Sequence, residues 1–173
     1  DLYFKKSLFA DRAAHLRPTA GHTNLAEYYG RLFAMPEATV DWAVPESTLA
    51  KLRVAPNFLT APGLAEEFVA RTAPRDGPRE IDLHARLGGT RAGGWYGAMR
   101  EAAEAAAEAV PGLATVTGTG VARGRFMAEL RASKMCFSPF GYGELCWRDI
   151  EAILAGAVLL KPDMSHLDTA PDL

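Results

Sequence analysis

Long apolar runs are missing from this 173-residue chain: the longest strongly apolar stretch, 153–160, is far shorter than the roughly 20 residues a helix needs to cross a bilayer. No secretory leader precedes it, so the expectation is a protein with no transmembrane segment, cytoplasmic or peripheral to a membrane. Charge of one sign is also scarce. Nineteen Lys and Arg face twenty-one Asp and Glu with no block of five like charges, which argues against nucleic acid or anionic lipid as a partner. Cysteine is limited to Cys136 and Cys146, both in segments that read as core, so a disulfide framework is excluded and a reducing compartment expected. The histidines, His15, His22, His84 and His166, are scattered without the Cys or carboxylate spacing of a zinc site, and no metal is expected. What is present, 49% apolar and 23% charged residues, excludes a disordered chain. The chain starts at Asp1 and residues 169–173 read as loop, so a piece of a longer protein is expected.

Prolines at 18, 36, 45, 56, 62 and 74 cut the first half repeatedly, predicting an irregular, mainly helical segment of short helices and long connections. Asn24 can cap a helix over 25–33, and residues 64–71 carry good helix formers. After the turn cluster Arg75-Asp76-Gly77-Pro78 the signals become regular. Residues 81–87 alternate as a strand, 95–110 repeat as a helix stopped by Pro111-Gly112, and 113–117 read as a short strand. A helix over 125–133, a buried strand over 135–138, a helix over 145–155 closed by Gly156 and a buried apolar strand over 157–160 follow. Alternating strands and helices with continuous apolar runs predict an α/β fold, a Rossmann-like parallel sheet with helices on both faces. In such sheets ligands bind beyond the carboxyl ends of the strands.

The loops at that edge, 88–91, 118–123, 138–144 and 161–166, are rich in Gly, hydroxyls and bases, the chemistry that cradles a phosphorylated ligand. In the third, Gly141 and Gly143 let backbone approach a ligand, and the helix after it presents amides and a positive dipole end to an anion. Glu144, Arg148 and Glu151 follow at offsets of four and three, within about 40° of one another around a helix. A diphosphate can meet the loop and Arg148 while Glu151 accepts from sugar or ribose hydroxyls. The competing explanation is a surface salt-bridge ladder worth about 0.3–0.5 kcal/mol per pair, and on spacing alone it is the commoner outcome.

Residues 133–166 carry a serine-proline-glycine loop (Ser138-Pro139-Phe140-Gly141-Tyr142-Gly143-Glu144) and a helix reading Arg148, two residues, Glu151-Ala152. Ala155-Gly156, the apolar Ala157-Val158-Leu159-Leu160 and Lys161-Pro162-Asp163-Met164-Ser165-His166 complete the stretch. This stretch resembles the donor-binding, C-terminal half of GT-B glycosyltransferases, and is most similar to the exostosin-like and group 1 families. The likeness is looser from Arg79 onward, and residues 1–75 match no motif. The resemblance implies a nucleotide-sugar-binding domain over 79–173, truncated at its C-terminus, after a segment over 1–78 that is the tail of an acceptor domain plus linker. It implies transfer of a sugar from a nucleotide-sugar substrate, with no other cofactor, to a glycan or other hydroxyl acceptor in cell-surface polysaccharide synthesis. It places Glu151 on the donor ribose and Arg148 near the phosphates. Ser138, Gly141, Tyr142 and Gly143 line the donor loop, with Arg86 and Lys161 as further donor contacts. The earlier glutamate of group 1 enzymes would fall at Gly143, so Glu144, one position off, either takes over the sugar contact or caps the helix. The missing acceptor domain is the implied partner, and this chain alone is an incomplete enzyme.

Solvation is an equal explanation for Arg86 and Arg91, and covering the sheet edge for Lys161. His166 reads as structural, Arg100 as solvated, and Trp42, Trp95 and Trp147 as core residues. Two other functions fit parts of the sequence. The turn containing Gly118, Gly120 and Gly124 between a strand and a helix suits a nicotinamide-dependent oxidoreductase, although no acidic residue ends the next strand. A non-catalytic glycan- or partner-binding module would keep the fold without the chemistry.

Overall fold

A computed structural model describes residues 1–21, 24–56, 63, 66, 77–170 and 172. The helix expected over 64–71 lies, apart from residue 66, outside the described residues. In chain order the elements are β1 (Tyr3–Lys5), β2 (Ser7–Phe9), a 3-10 turn (Arg12–Leu16), β3 (Thr19–Ala20), α1 (Asn24–Leu32), β4 (Thr39–Val40), α2 (Glu46–Leu49) and β5 (Leu52–Val54). Then come β6 (Ile81–His84), α3 (Gly94–Glu108), β7 (Thr115–Val116), α4 (Arg123–Arg131), β8 (Ser133–Phe137), α5 (Trp147–Leu154), β9 (Val158–Leu160) and β10 (Leu167–Thr169).

The second half forms a four-stranded parallel sheet in the order β7-β6-β8-β9. Side chains alternate across its pleat, which explains why both faces need helices. On one face Leu83, Ala85, Met135 and Phe137 pack with Leu113 and with Ala107 of α3. On the other, Cys136 and Leu159 meet Met127 and Leu130 of α4 and Ala152 and Ala155 of α5. Full burial of a side chain such as Leu130 contributes about 1.5–3 kcal/mol. Helices cover the sheet on both sides, as the strand and helix alternation predicts. At β9 the expectation of burial fails: Val158 is 62% exposed and Leu160 38%, because β9 is an edge strand and α3 does not reach across to it.

Two glycines are dictated by close approach. A Cβ on Gly97, inside α3, would lie 1.5 Å from the carbonyl oxygen of Ala92, so only glycine lets the preceding loop fold back on this helix. Gly156 closes α5 at φ +71°, and Arg79 runs past it to donate to the carbonyls of Ser133 and Ala155.

Among the described residues of 1–56 the expected short helices are joined by strands not expected from the sequence. Five short strands share this stretch with α1, α2 and the 3-10 turn, and they pair at long range: β1 with β5, β3 with β4, and β2 with β10. The last pairing corrects the loop expected at the end of the chain, since Thr169 is the final residue of a strand set against Ser7. Arg12 bonds Asp168 across the same seam. This lobe sits on the sheet domain through one shared core, in which Leu25, Ala26 and Tyr29 of α1 pack on Trp95 and Met99 of α3 and on Phe140. Tyr29 stacks on Trp95 at 5.9 Å between ring centres. Trp95 is thus a core residue, but Trp42 and Trp147 are 59% and 52% exposed, contrary to expectation.

Candidate functional site

The chain runs from β6 outward to β7 and then returns to place β8 on the other side of β6. At such a reversal the connections leave in opposite directions, and a crevice opens beyond the carboxyl ends of the two central strands. Arg148, in the first turn of α5, enters the space between β6 and β8. Its Nη2 donates to the carbonyl oxygen of Arg86, just past β6, at 2.7 Å, and its Nε is buried without a hydrogen-bond partner among the described residues.

The three residues spaced as a helical ladder do not form one. Glu144 precedes α5, which begins only at Trp147, so its angular relation to Arg148 is not helical. It is buried, and its carboxylate accepts from the Ser7 hydroxyl at 3.0 Å, which in turn accepts from the Asn24 amide at 3.3 Å. Glu144 does not cap the helix either. That place is taken by Asp149, whose Oδ2 accepts from the Cys146 backbone amide at 2.8 Å. Glu151 is buried on α5 and accepts from Arg123, at the start of α4, at 2.5 Å.

The expected donor loop divides into a knot and a turn. Ser138 is fully buried; its hydroxyl donates to Asp149 Oδ1 at 2.5 Å and lies 3.3 Å from Cys146 Sγ. Lys161 places its ammonium 2.9 Å from Asp149 Oδ2 and 5.2 Å from the centre of the Phe140 ring, with a side chain only 8% exposed. Ser138 and Lys161 are thus both bonded to Asp149, and the Cys146 amide is likewise engaged by it. The turn is made by Gly141, whose N–H donates to the Gly143 carbonyl at 3.0 Å. It carries Tyr142 outward, 64% exposed, to stack on Tyr96 of α3 at 4.2 Å.

Each nitrogen of Arg86 also has a partner within the fold. Its Nε and Nη2 grip Glu129 of α4 at 2.9 Å each, and its Nη1 bonds the Thr117 carbonyl. The Arg86 hydrogen bond, opposed by burial and aided by Arg125, holds the Glu129 carboxyl down at about 2. Arg91 is exposed at the mouth of the same loop.

Two residues that sequence reasoning passed over complete the crevice. Arg100, on the second turn of α3, is only 4% exposed rather than solvated. Its Nε and Nη1 have no partner among the described residues, and its guanidinium lies over the Tyr96 ring at 5.3 Å. Burial lowers its pKa; Tyr96 works against that, while the like charge of Arg148 adds to it. His84, the last residue of β6, is fully buried, its ring nitrogens without a partner among the described residues, edge-on to Phe126 at 4.9 Å. Burial first, and then Arg148, push it down to about 4, so it is neutral at pH 7. The helical period did hold a signal for Arg100, which lies four residues after Tyr96 and three before the buried Ala103.

The crevice therefore receives guanidiniums from helices on opposite faces of the sheet, and neither is paired with a carboxylate among the described residues. Burying a cation without counter-charge is costly, and a dianion between the two would relieve that cost through charge-assisted hydrogen bonds. No group of His, Cys, Asp and Glu that could hold a metal ion occurs among the described residues, and none of their helices is long and apolar enough to cross a membrane. Two adjoining cavities of about 410 and 550 Å³ open elsewhere, in the lobe, sharing Phe9, Ala14, Arg17, Thr19 and Asn24 in their walls. Comparison of the chain with family models, with curated proteins and with solved structures finds no match.

Proposed function

We propose that the crevice between β6 and β8 binds the diphosphate of a nucleotide sugar, and that the chain is the donor-binding portion of a glycosyltransferase acting on a glycan or other hydroxyl acceptor in cell-surface polysaccharide synthesis. The observation that carries this reading is Arg148: a charged side chain drawn into the crevice at the strand-order reversal with a buried, unbonded Nε. Glycosyl transfer needs an acceptor oxygen in line with the anomeric carbon and stabilisation of the departing diphosphate, and Arg148 is placed to supply the second. Glu151, three residues further along α5 and held by Arg123, serves to orient the donor ribose. The turn at Gly118, Gly120 and Gly124 has less support as a dinucleotide site, because it follows the edge strand β7 and not a strand flanking the reversal.

Calorimetric titration with UDP, GDP and CDP tests the proposal. One of these should bind, and Arg148→Ala should weaken that binding about tenfold to a hundredfold, the worth of a hydrogen bond to a charged group. A folded sample that binds none of the three overturns it. Release of sugar from a nucleotide sugar by wild type, above an Arg148→Ala control, separates an enzyme from a binding module.

A further inference from the structure

Arginine stays charged at any pH at which this fold survives, so a buried guanidinium is normally met by a carboxylate. Arg86 obeys this rule through its two-pronged grip on Glu129. Arg100 does not: it is as buried as the core residues around it, yet two of its nitrogens have no partner among the described residues. Its position makes that absence directional. Side chains on a helix lean toward its N-terminus, so from the second turn of α3 Arg100 leans toward the carboxyl edge of the sheet. Tyr96, one turn earlier, holds the Arg100 guanidinium over its ring at 5.3 Å and is itself fixed by stacking on Tyr142. The position of the guanidinium is therefore fixed while its Nε and Nη1 have no partner among the described residues. Arg148 approaches from the opposite face of the sheet with a further donor that has no partner among the described residues.

Resting on the diphosphate reading of the crevice, we propose that Arg100 is a second anion-binding residue, with Arg100 and Arg148 each taking one phosphoryl group, so that the site selects diphosphates over monophosphates. The two guanidiniums come in on separate helices from opposite faces of the sheet, so two linked phosphoryl groups give each fork its own set of acceptors. A pyrophosphate group spans two sets of acceptors and supplies the two negative charges that the crevice lacks.

The test is calorimetry of the full chain with UDP, UMP, inorganic pyrophosphate and orthophosphate, on wild type and on Arg100→Met. Wild type should bind UDP and pyrophosphate at least tenfold more tightly than UMP and orthophosphate, and Arg100→Met should erase most of that preference by weakening the diphosphates alone. Should the Met variant not fold, Arg100→Lys reads the same quantity, because it keeps the charge and loses the fork. A smaller diphosphate preference supports the proposal, and an unchanged one overturns it. A variant that binds UDP as wild type does overturns the role of Arg100 while leaving the crevice reading standing. A folded wild type that binds neither UDP nor pyrophosphate overturns the crevice reading itself.

Discussion

Two groups of cations stand at the carboxyl edge of the same sheet and are treated in opposite ways. Lys161 and Arg86 are neutralised by carboxylates from neighbouring helices, Asp149 and Glu129. Arg148 and Arg100 are brought to the edge by α5 and α3 and given no carboxylate among the described residues. On the proposed reading, the difference separates what holds the loops in place from what is left for a ligand. A cation whose charge is cancelled within the fold serves the fold, whereas one buried without cancellation lowers stability until an anion arrives.

The sharpest way to break this division is to remove the carboxylate of the knot. Asp149→Ala leaves Lys161 buried and unpaired and also strips the Cys146 amide and the Ser138 hydroxyl of their acceptor, so unfolding by urea should show a loss of about 3–5 kcal/mol. A loss near zero would put Lys161 in the same class as Arg148.

Next in size is the pH dependence from His84. Its pKa is lowered from 6.5 to about 4 in the folded state, so between those values the unfolded chain binds the extra proton and stability falls as the solution is acidified. The expected loss is about 3 kcal/mol, complete near pH 4. His84→Phe should flatten this part of the curve, and an unaltered slope would show that the imidazole is solvated. A second decline, at lower pH, belongs to Glu129. Its pKa is lowered from 4.5 to about 2, so its contribution is fully present above pH 4.5 and is lost as the pH falls toward 2. Glu129→Gln should remove that second decline in acid titrations followed by circular dichroism.

Smallest is the Arg123 pair with Glu151. Arg123 is 58% exposed in its side chain, so Arg123→Ala should cost less than about 1 kcal/mol. Its effect on UDP binding should be slight as well, while Glu151→Ala should weaken it more. Equal effects would mean that the pair acts as a unit and that Glu151 has no separate ligand role.

What the sequence discloses follows from the range of the interactions. The periods of α3 and α5 and the apolar strands β6, β8 and β9 are local, and each appears within a few residues of its expected place. The strands of the lobe span two or three residues and find partners far along the chain, as when Ser7 meets Thr169, so no window of sequence contains them. Glu144 illustrates the same limit at the site. Its offset from Arg148 suggested a shared helix face, but the helix starts three residues later and its true partner is Ser7, 137 positions away. Arg100 was hidden for a different reason. Arginine defaults to solvent, and only the pairing of its helical position with a buried neighbourhood reveals otherwise. Val158 and Leu160 show the converse, an apolar run that looks interior but lies on an unpaired edge of the sheet.

A crystal structure of the chain with UDP bound addresses the division between the two cation groups most directly. The diphosphate should lie between Arg148 and Arg100 beyond the ends of β6 and β8, with Arg86 still on Glu129 and Lys161 still on Asp149. A nucleotide seated elsewhere, or one held by Arg86 and Lys161 after they leave their carboxylates, would contradict it.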